Sequence, residues 1–327
     1  MFKTVISFDM RAPEFGAPSA ELYKAALEMC AFADEIGIDA VVLPEHHCSE
    51  DGYNPVPSLM ASAVAARTDR IAIMLGALVL PLHDPVELAE TIAVTDIISG
   101  GRLYTTLVPG YVDAEFSMFG KSLKDRARLM DEGLDVIARA LSGERFQYGE
   151  REVFVRPLPV NRPPRLLVGG GVPAAARRAA KHGFGFWVLQ PSMMPESQRL
   201  IALYEEECAK NGHAPGPIMS THPAVHVTHD PDAEWEKIGP HIVHMVKSYA
   251  SWASDVDTTT SPFYGLDNVE AIRKAGIINV MTPAEAIAFA SKTDISLTPL
   301  IAGLAPEIGW NMLRLFASEV LPHLKNT

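Results

Sequence analysis

The chain is short of the features that mark several protein classes. It has three cysteines in 327 residues, Cys30, Cys48 and Cys208, an odd and sparse set that excludes a disulfide framework and points to the cytoplasm. Its start, MFKTVISFDM, lacks the apolar core of a secretory signal. No apolar run is long enough to cross a bilayer, so no membrane partner is expected. Basic residues are outnumbered, 28 against 40 acidic, for a formal charge of −12. Without a basic stripe, that balance repels phosphate backbones and argues against nucleic acid as a partner. Also missing are HExxH, a P-loop, CxxC and a nucleophile elbow. No side-chain set by itself accounts for a hard reaction, which favours a bound cofactor.

What is present is a rhythm of short apolar runs and helical patterns. Strands are expected at Thr4–Asp9, Ala40–Leu43, Ile71–Leu80, Leu103–Val108, Arg165–Val168, Phe186–Leu189, Ile218–Val227 and Ile295–Leu300. Most are apolar on both faces, as helix-covered parallel strands must be. In the first helix Leu22, Ala26, Met29, Ala33 and Ile36 share a face, with Ser19 expected as its cap and Gly37 as its end. Eight strands with helices between them predict an α/β (β/α)8 TIM barrel, one domain over residues 1–327, with an open doubly wound sheet as the alternative. Two stretches interrupt the rhythm. Phe146–Val155 reads as a small hairpin turning at Gly149. Ser251–Gly265, polar and threonine-rich, reads equally as a mobile lid or a surface loop.

In a barrel, polar residues at the C-terminal ends of strands face the site. Glu45, His46 and His47 follow the second strand. Val42, Pro44 and His46 share one parity, so a regular strand turns His46 inward, where an imidazole can move a proton. His-His-Cys resembles a ligand set, but adjacent side chains diverge and no distant partner completes a zinc site, so no metal is expected. Gly76 permits close approach to the third strand's backbone or merely relieves crowding. Asp84 before Pro85 is explained as a helix cap. Tyr111, in the loop after the fourth strand, suits stacking on a planar ring or core packing. Gly169, Gly170 and Gly171 join a strand to a helix, so that N–H groups there can hold a phosphate; a flexible turn is the competing account. The spacing is not GxGxxG, and a dinucleotide-binding reading fails.

Taken in order, EHH at Glu45–His47, LVLPLHDPVELAETIAVTDIISGGRL from Leu78, PGYVDAEFSMFG from Pro109, the glycine turn, and GLAPEIGWNMLRLFASEVLP from Gly303 resemble the bacterial luciferase-like family of flavin and deazaflavin oxidoreductases. The resemblance covers nearly the whole chain. It implies a monooxygenase that takes reduced flavin mononucleotide (FMN) from a partner flavin reductase and uses molecular oxygen on a small, partly apolar substrate. It implies a non-proline cis peptide between Gly76 and Ala77 against the flavin ring, and His46 as the proton-managing residue beside Glu45 and His47. The family's reactive cysteine position is Val108 here, and its phosphate-binding arginine is Pro109. That departure moves the expected phosphate contacts to Gly169–Gly171, Val172 and the helix after them. A homodimer through helices of the first half is also implied; an apolar face on Val56–Ala66 fits that interface and a core face equally. The alternatives are a deazaflavin-dependent dehydrogenase or reductase on the same fold and a non-catalytic flavin-binding subunit.

Overall fold

The computed structural model describes residues 2–252 and 263–324. The strands, in chain order, are β1 (Thr4–Ser7), β2 (Ala40–Leu43), β3 (Ala72–Val79), β4 (Leu103–Val108), β5 (Phe146–Tyr148), β6 (Arg151–Val153), β7 (Leu166–Gly170), β8 (Gly185–Val188), β9 (Ile218–Ser220), β10 (Ala224–Val227), β11 (Ile278–Met281) and β12 (Ile295–Leu297). The chain divides into two compact units, one formed by Leu43–Glu45 and Val56–Thr221, the other by Phe2–Val42, His46–Pro55 and the residues from His222 onward.

In the first unit β3, β4, β7, β8 and β9 run parallel in that order. Helices follow the strands, including Pro57–Ala65, Pro85–Ile98, Arg126–Ser142 and Pro173–His182. Asp84 caps Pro85–Ile98 as expected: its Oδ1 accepts the Val86 N–H at 2.8 Å, and Pro85 takes the first helical position, where no donor is needed. Behind β3 and β4, Arg102 closes the turn Ser99–Gly101. Its guanidinium donates to the carbonyls of Ser99 and Ile71 (both 2.8 Å), Ala65 (3.1 Å) and Thr68 (2.8 Å), and to Thr68 Oγ1 at 2.9 Å. The fork geometry of arginine matches five acceptors spread over two helix ends and one strand start. The hairpin is present as antiparallel β5 and β6, with Gly149 at φ 58° in its turn.

In the second unit β10 lies between β11 and β12, and β12 and β2 flank β1, all parallel. Helix Ser19–Ile36 buries Leu22, Ala25, Ala26, Met29, Cys30 and Ala33, and Gly37 ends it at φ 84°. Its cap is Pro18, not Ser19: the Pro18 carbonyl already accepts the N–H groups of Glu21 and Leu22, so Ser19 sits inside the first turn. Helix Pro231–Trp252 packs Trp235, Ile238, Ile242 and Val246 into a cluster with Ile272, Ile278 and Leu304.

Beyond shifts at strand ends, the structure departs from the expected strands in one split and one additional strand. Ile218–Val227 is broken into β9 and β10 by residues that include Pro223, which lacks a donor for a ladder. β11 was not foreseen, because INVM is four residues with a polar Asn279 inside it. Among the described residues the parallel strands therefore number ten segments rather than eight. Of the Ser251–Gly265 stretch, residues 253–262 lie outside the described residues.

Candidate active site

The first unit brings together most of the glycine and apolar candidates. The Gly76–Ala77 peptide is cis. Gly76 pairs with Thr106 and Leu78 with Leu107, so the register skips Ala77 and a bulge forms at this point of β3. On β4, Thr106 and Val108 turn their side chains towards Gly169 of β7. A Cβ on Gly169 would stand 2.8 Å from Val108 Cγ1 and 2.9 Å from Thr106 Cγ2, so this surface admits only glycine there. Thr106 Oγ1 is buried and has no hydrogen-bond partner among the described residues. A buried hydroxyl left without a partner is costly unless a ligand supplies one.

Gly170 ends β7 at φ 156°, and a Cβ there would meet the Ala175 Cβ at 2.8 Å. Around Gly171 there is room, with Leu189 side-chain atoms at 3.7 Å from its ideal Cβ. Val172 is exposed and stands at the N-cap of helix Pro173–His182, where no side chain caps the first turn. Tyr111, half-buried, follows Gly110, which takes φ 72° and whose lack of a Cβ leaves the space filled by Val79 and Phe116.

Glu45 belongs to the same unit. Its buried carboxylate accepts the Val79 N–H at 2.5 Å through Oε2 and meets His83 Nε2 at 2.7 Å through Oε1. It thus ties the chain after β2 to the exit of β3. Lys121 reinforces that exit, with Nζ 2.6 Å from the Pro81 carbonyl and 3.3 Å from that of His83. Burial lowers its pKa from the usual lysine value. Leu80, Pro81, His83, Lys121 and Tyr148 line a cavity of about 330 Å³. His83 and Lys121 escaped the sequence reading; a polar residue at a strand exit was the available signal for His83.

His46 and His47 fall in the second unit. β2 ends at Leu43, so strand parity does not extend to them. The His46 ring is set instead by other rings: Trp252 at 4.5 Å, Tyr53 at 4.8 Å edge-on and Tyr249 at 5.9 Å between centroids. His47 is buried, and exposed Cys48 takes φ 55°. Beside these rings lies Arg11, wholly buried, with its guanidinium 4.6 Å from the Tyr53 ring, 4.5 Å from Tyr249 and 5.1 Å from Trp252. Asp9 and Asp51 flank it at 3.2 and 3.4 Å, and His244 Nε2 is 2.7 Å from Asp51. Burial pushes the Asp9 pKa up, opposed by Arg11. Burial, then Tyr249, pushes the Tyr53 phenol well up, so it stays neutral, and its hydroxyl lies 3.0 Å from that of Tyr249. None of these partners of His46 was singled out from the sequence. FDMR, directly after β1, was the signal for Asp9 and Arg11.

Comparison with known proteins identifies the lineage of this arrangement. The family model described as luciferase-like monooxygenase matches residues 4–295. The chain belongs to that family. Curated relatives include limonene 1,2-monooxygenase of Rhodococcus erythropolis, 27% identical over 57% of this chain and 50% of that one. Another is the oxygenase component of flavin-dependent trigonelline monooxygenase of Acinetobacter baylyi, 27% identical over 58% of this chain and 55% of that one. The matches thus span about half the length of these relatives. Among solved structures, the monooxygenase RslO1 from Streptomyces bottropensis is 26% identical with a TM-score of 0.80, covering 98% of this chain and 99% of that one. An F420-dependent secondary alcohol dehydrogenase shares the fold, with a TM-score of 0.73 at 16% identity over 99% of both chains. The fold is thus the α/β TIM-barrel class of the luciferase-like monooxygenases, and F420-dependent enzymes are among its structural neighbours.

Proposed function

We propose that this protein is the oxygenase of a flavin-dependent monooxygenase pair, taking reduced FMN from a flavin reductase and inserting one atom of molecular oxygen into a small, partly apolar substrate. The observation that carries the reading is the surface of Thr106, Val108 and Gly169, with a buried hydroxyl lacking a partner and a glycine whose side-chain space is already taken. In this reading Gly76, Ala77 and Val108 meet the flavin ring, and Tyr111 flanks it. Gly169, Gly170, Gly171 and Val172 present the uncapped helix start to the phosphate, where the N–H groups and the helix dipole favour an anion. The reduced flavin supplies two electrons and activates oxygen.

The chain's own residues orient and protonate. His46, its ring walled by Tyr53, Tyr249 and Trp252, takes and returns a proton, with His47 beside it in sequence. Glu45 holds the exit of β3 in place through Val79 and His83. Val56, Leu59, Val94, Ile97 and Ile98 are exposed apolar residues on or beside two helices of the first unit, which supports a homodimer. Three free cysteines suit a reducing cytoplasm.

The test is oxygen bookkeeping. With a flavin reductase, NADH, FMN and candidate aldehydes, ketones and hydrocarbons under ¹⁸O₂, the reading expects one labelled atom in the product and flavin-dependent oxygen uptake. Substrate reduction or oxidation with a deazaflavin and no oxygen uptake would overturn it.

A further inference from the structure

We infer that Arg11 is a positioning residue for His46, acting through the aromatic rings that lie between them. The inference rests on the proton-handling role given to His46 above. β2 stops at Leu43, three residues before His46, so strand pairing does not fix the imidazole. Trp252, Tyr53 and Tyr249 surround it, at centroid distances of 4.5, 4.8 and 5.9 Å. The same three rings pack on one guanidinium, Arg11, at 5.1, 4.6 and 4.5 Å.

Arg11 is itself pinned from behind. Nη1 donates to Asp9 Oδ2 at 3.2 Å, and Nε faces Asp51 Oδ2 at 3.4 Å. Asp9 also accepts the backbone N–H groups of Arg11 and Ala302, and Asp51 is held by His244 at 2.7 Å. The order of support therefore runs from two carboxylates to a guanidinium, from that to three rings, and from the rings to His46. The hydroxyls of Tyr53 and Tyr249, 3.0 Å apart, lock two of the rings to each other.

Stability alone does not explain this choice of residue. Arg11 is wholly buried, and its Nη2 has no hydrogen-bond partner among the described residues. An apolar side chain of similar volume would fill the space without desolvating a charge. What the guanidinium adds is a rigid, flat, cationic face that holds several π faces at once. Lysine offers a point charge with no plane, so it cannot order the three rings in the same way.

The test uses the full chain with Arg11→Lys and Arg11→Met. In the cofactor-free protein, the ring protons of His46, assigned by their loss in His46→Asn, are displaced by the neighbouring ring currents. Both Arg11 variants should relax those shifts while leaving the signals of His226, buried elsewhere in the same unit, in place. Tyr53→Phe keeps the ring on the guanidinium and removes only its hydroxyl link to Tyr249, so the His46 shifts should move far less than in either Arg11 variant. In turnover, kcat should fall on the order of 10²-fold, the loss that goes with a misplacement of about 1 Å. The Kd for reduced FMN should stay within about two-fold, which separates positioning from binding.

His46 shifts that are unmoved in both Arg11 variants would overturn the inference. So would kcat and FMN affinity falling together with the folded fraction. A wild-type protein that neither binds reduced FMN nor consumes oxygen would defeat the functional reading instead, and the cofactor-free His46 shifts would still decide the role of Arg11.

Discussion

Removing the Glu45 carboxylate should show how much the exit of β3 depends on it. The side chain is wholly buried, at 0% exposure, so its bonds to Val79 and His83 are not screened by solvent. It accepts one backbone N–H from Val79 and faces the His83 ring. Hydrogen bonds to a charged group contribute about 1.5–3 kcal/mol each. Glu45→Ala loses both and leaves the Val79 N–H buried without an acceptor, so the loss should reach about 3–5 kcal/mol. At about 2–4 °C per kcal/mol, Tm should fall by roughly 6–20 °C. Glu45→Gln keeps the shape: its carbonyl still accepts from Val79, and its amide donates to His83 in the other tautomer. Only the charge is lost, and the cost should be about 1–2 kcal/mol. Urea unfolding of the two variants is the assay. A Glu45→Ala loss under about 1 kcal/mol, or equal losses for Ala and Gln, would refute the reasoning.

Other consequences are open to measurement. Arg102→Ala strips five hydrogen bonds from the turn behind β3 and β4 and should cost more than about 3 kcal/mol in urea unfolding, with Arg102→Lys little better. Reduced-FMN affinity of the folded fraction should be unaffected by either. Thr106→Val removes an unpartnered buried hydroxyl, so stability should hold or rise slightly while FMN affinity falls; a fall in stability with unchanged affinity would count against a ligand-facing role. Glu234 has its pKa lowered to about 2, chiefly by its hydrogen bond with His226 and also by Lys237, against the opposing effect of burial. A depressed carboxyl pKa stabilises the fold above the unfolded value of about 4.3, and that stability drains away as pH falls towards about 2. The stability gap between wild type and Glu234→Gln should therefore shrink between about pH 4.5 and 2.

Much of the fold was legible because its signals are local. Ala40–Leu43 and Leu103–Val108 match β2 and β4 to the residue, since apolar runs bounded by turn residues leave few alternatives. Gly37, Asp84 and Gly149 sit where local backbone chemistry demands them. Pro18 displaced Ser19 as a cap because a backbone carbonyl did the work before the side chain could. β11 and the break at Pro223 depend on pairing partners far along the chain, which a short window does not contain.

The site divides in the same way. Gly76–Ala77, Thr106 and Gly169 lie on adjacent strands, and the glycines were visible as glycines; Thr106 was not, because its meaning lies in having no partner. The surroundings of His46 come from the segment after β1, a loop and the last turn of a helix some two hundred residues later, as the Tyr53–Tyr249 separation of 196 residues shows. Spacing in sequence carries no trace of such a convergence. Parity pointed to His46 by a route the structure does not follow, because the strand ends first.

The most direct test of the central claim is an anaerobic equilibrium titration of the purified protein with reduced FMN, beside one with a reduced deazaflavin. The account predicts saturable binding of reduced FMN, tighter than that of the deazaflavin and weakened by Gly169→Ala, whose Cβ would press on Val108 and Thr106. Preference for the deazaflavin, or binding of neither, would contradict it.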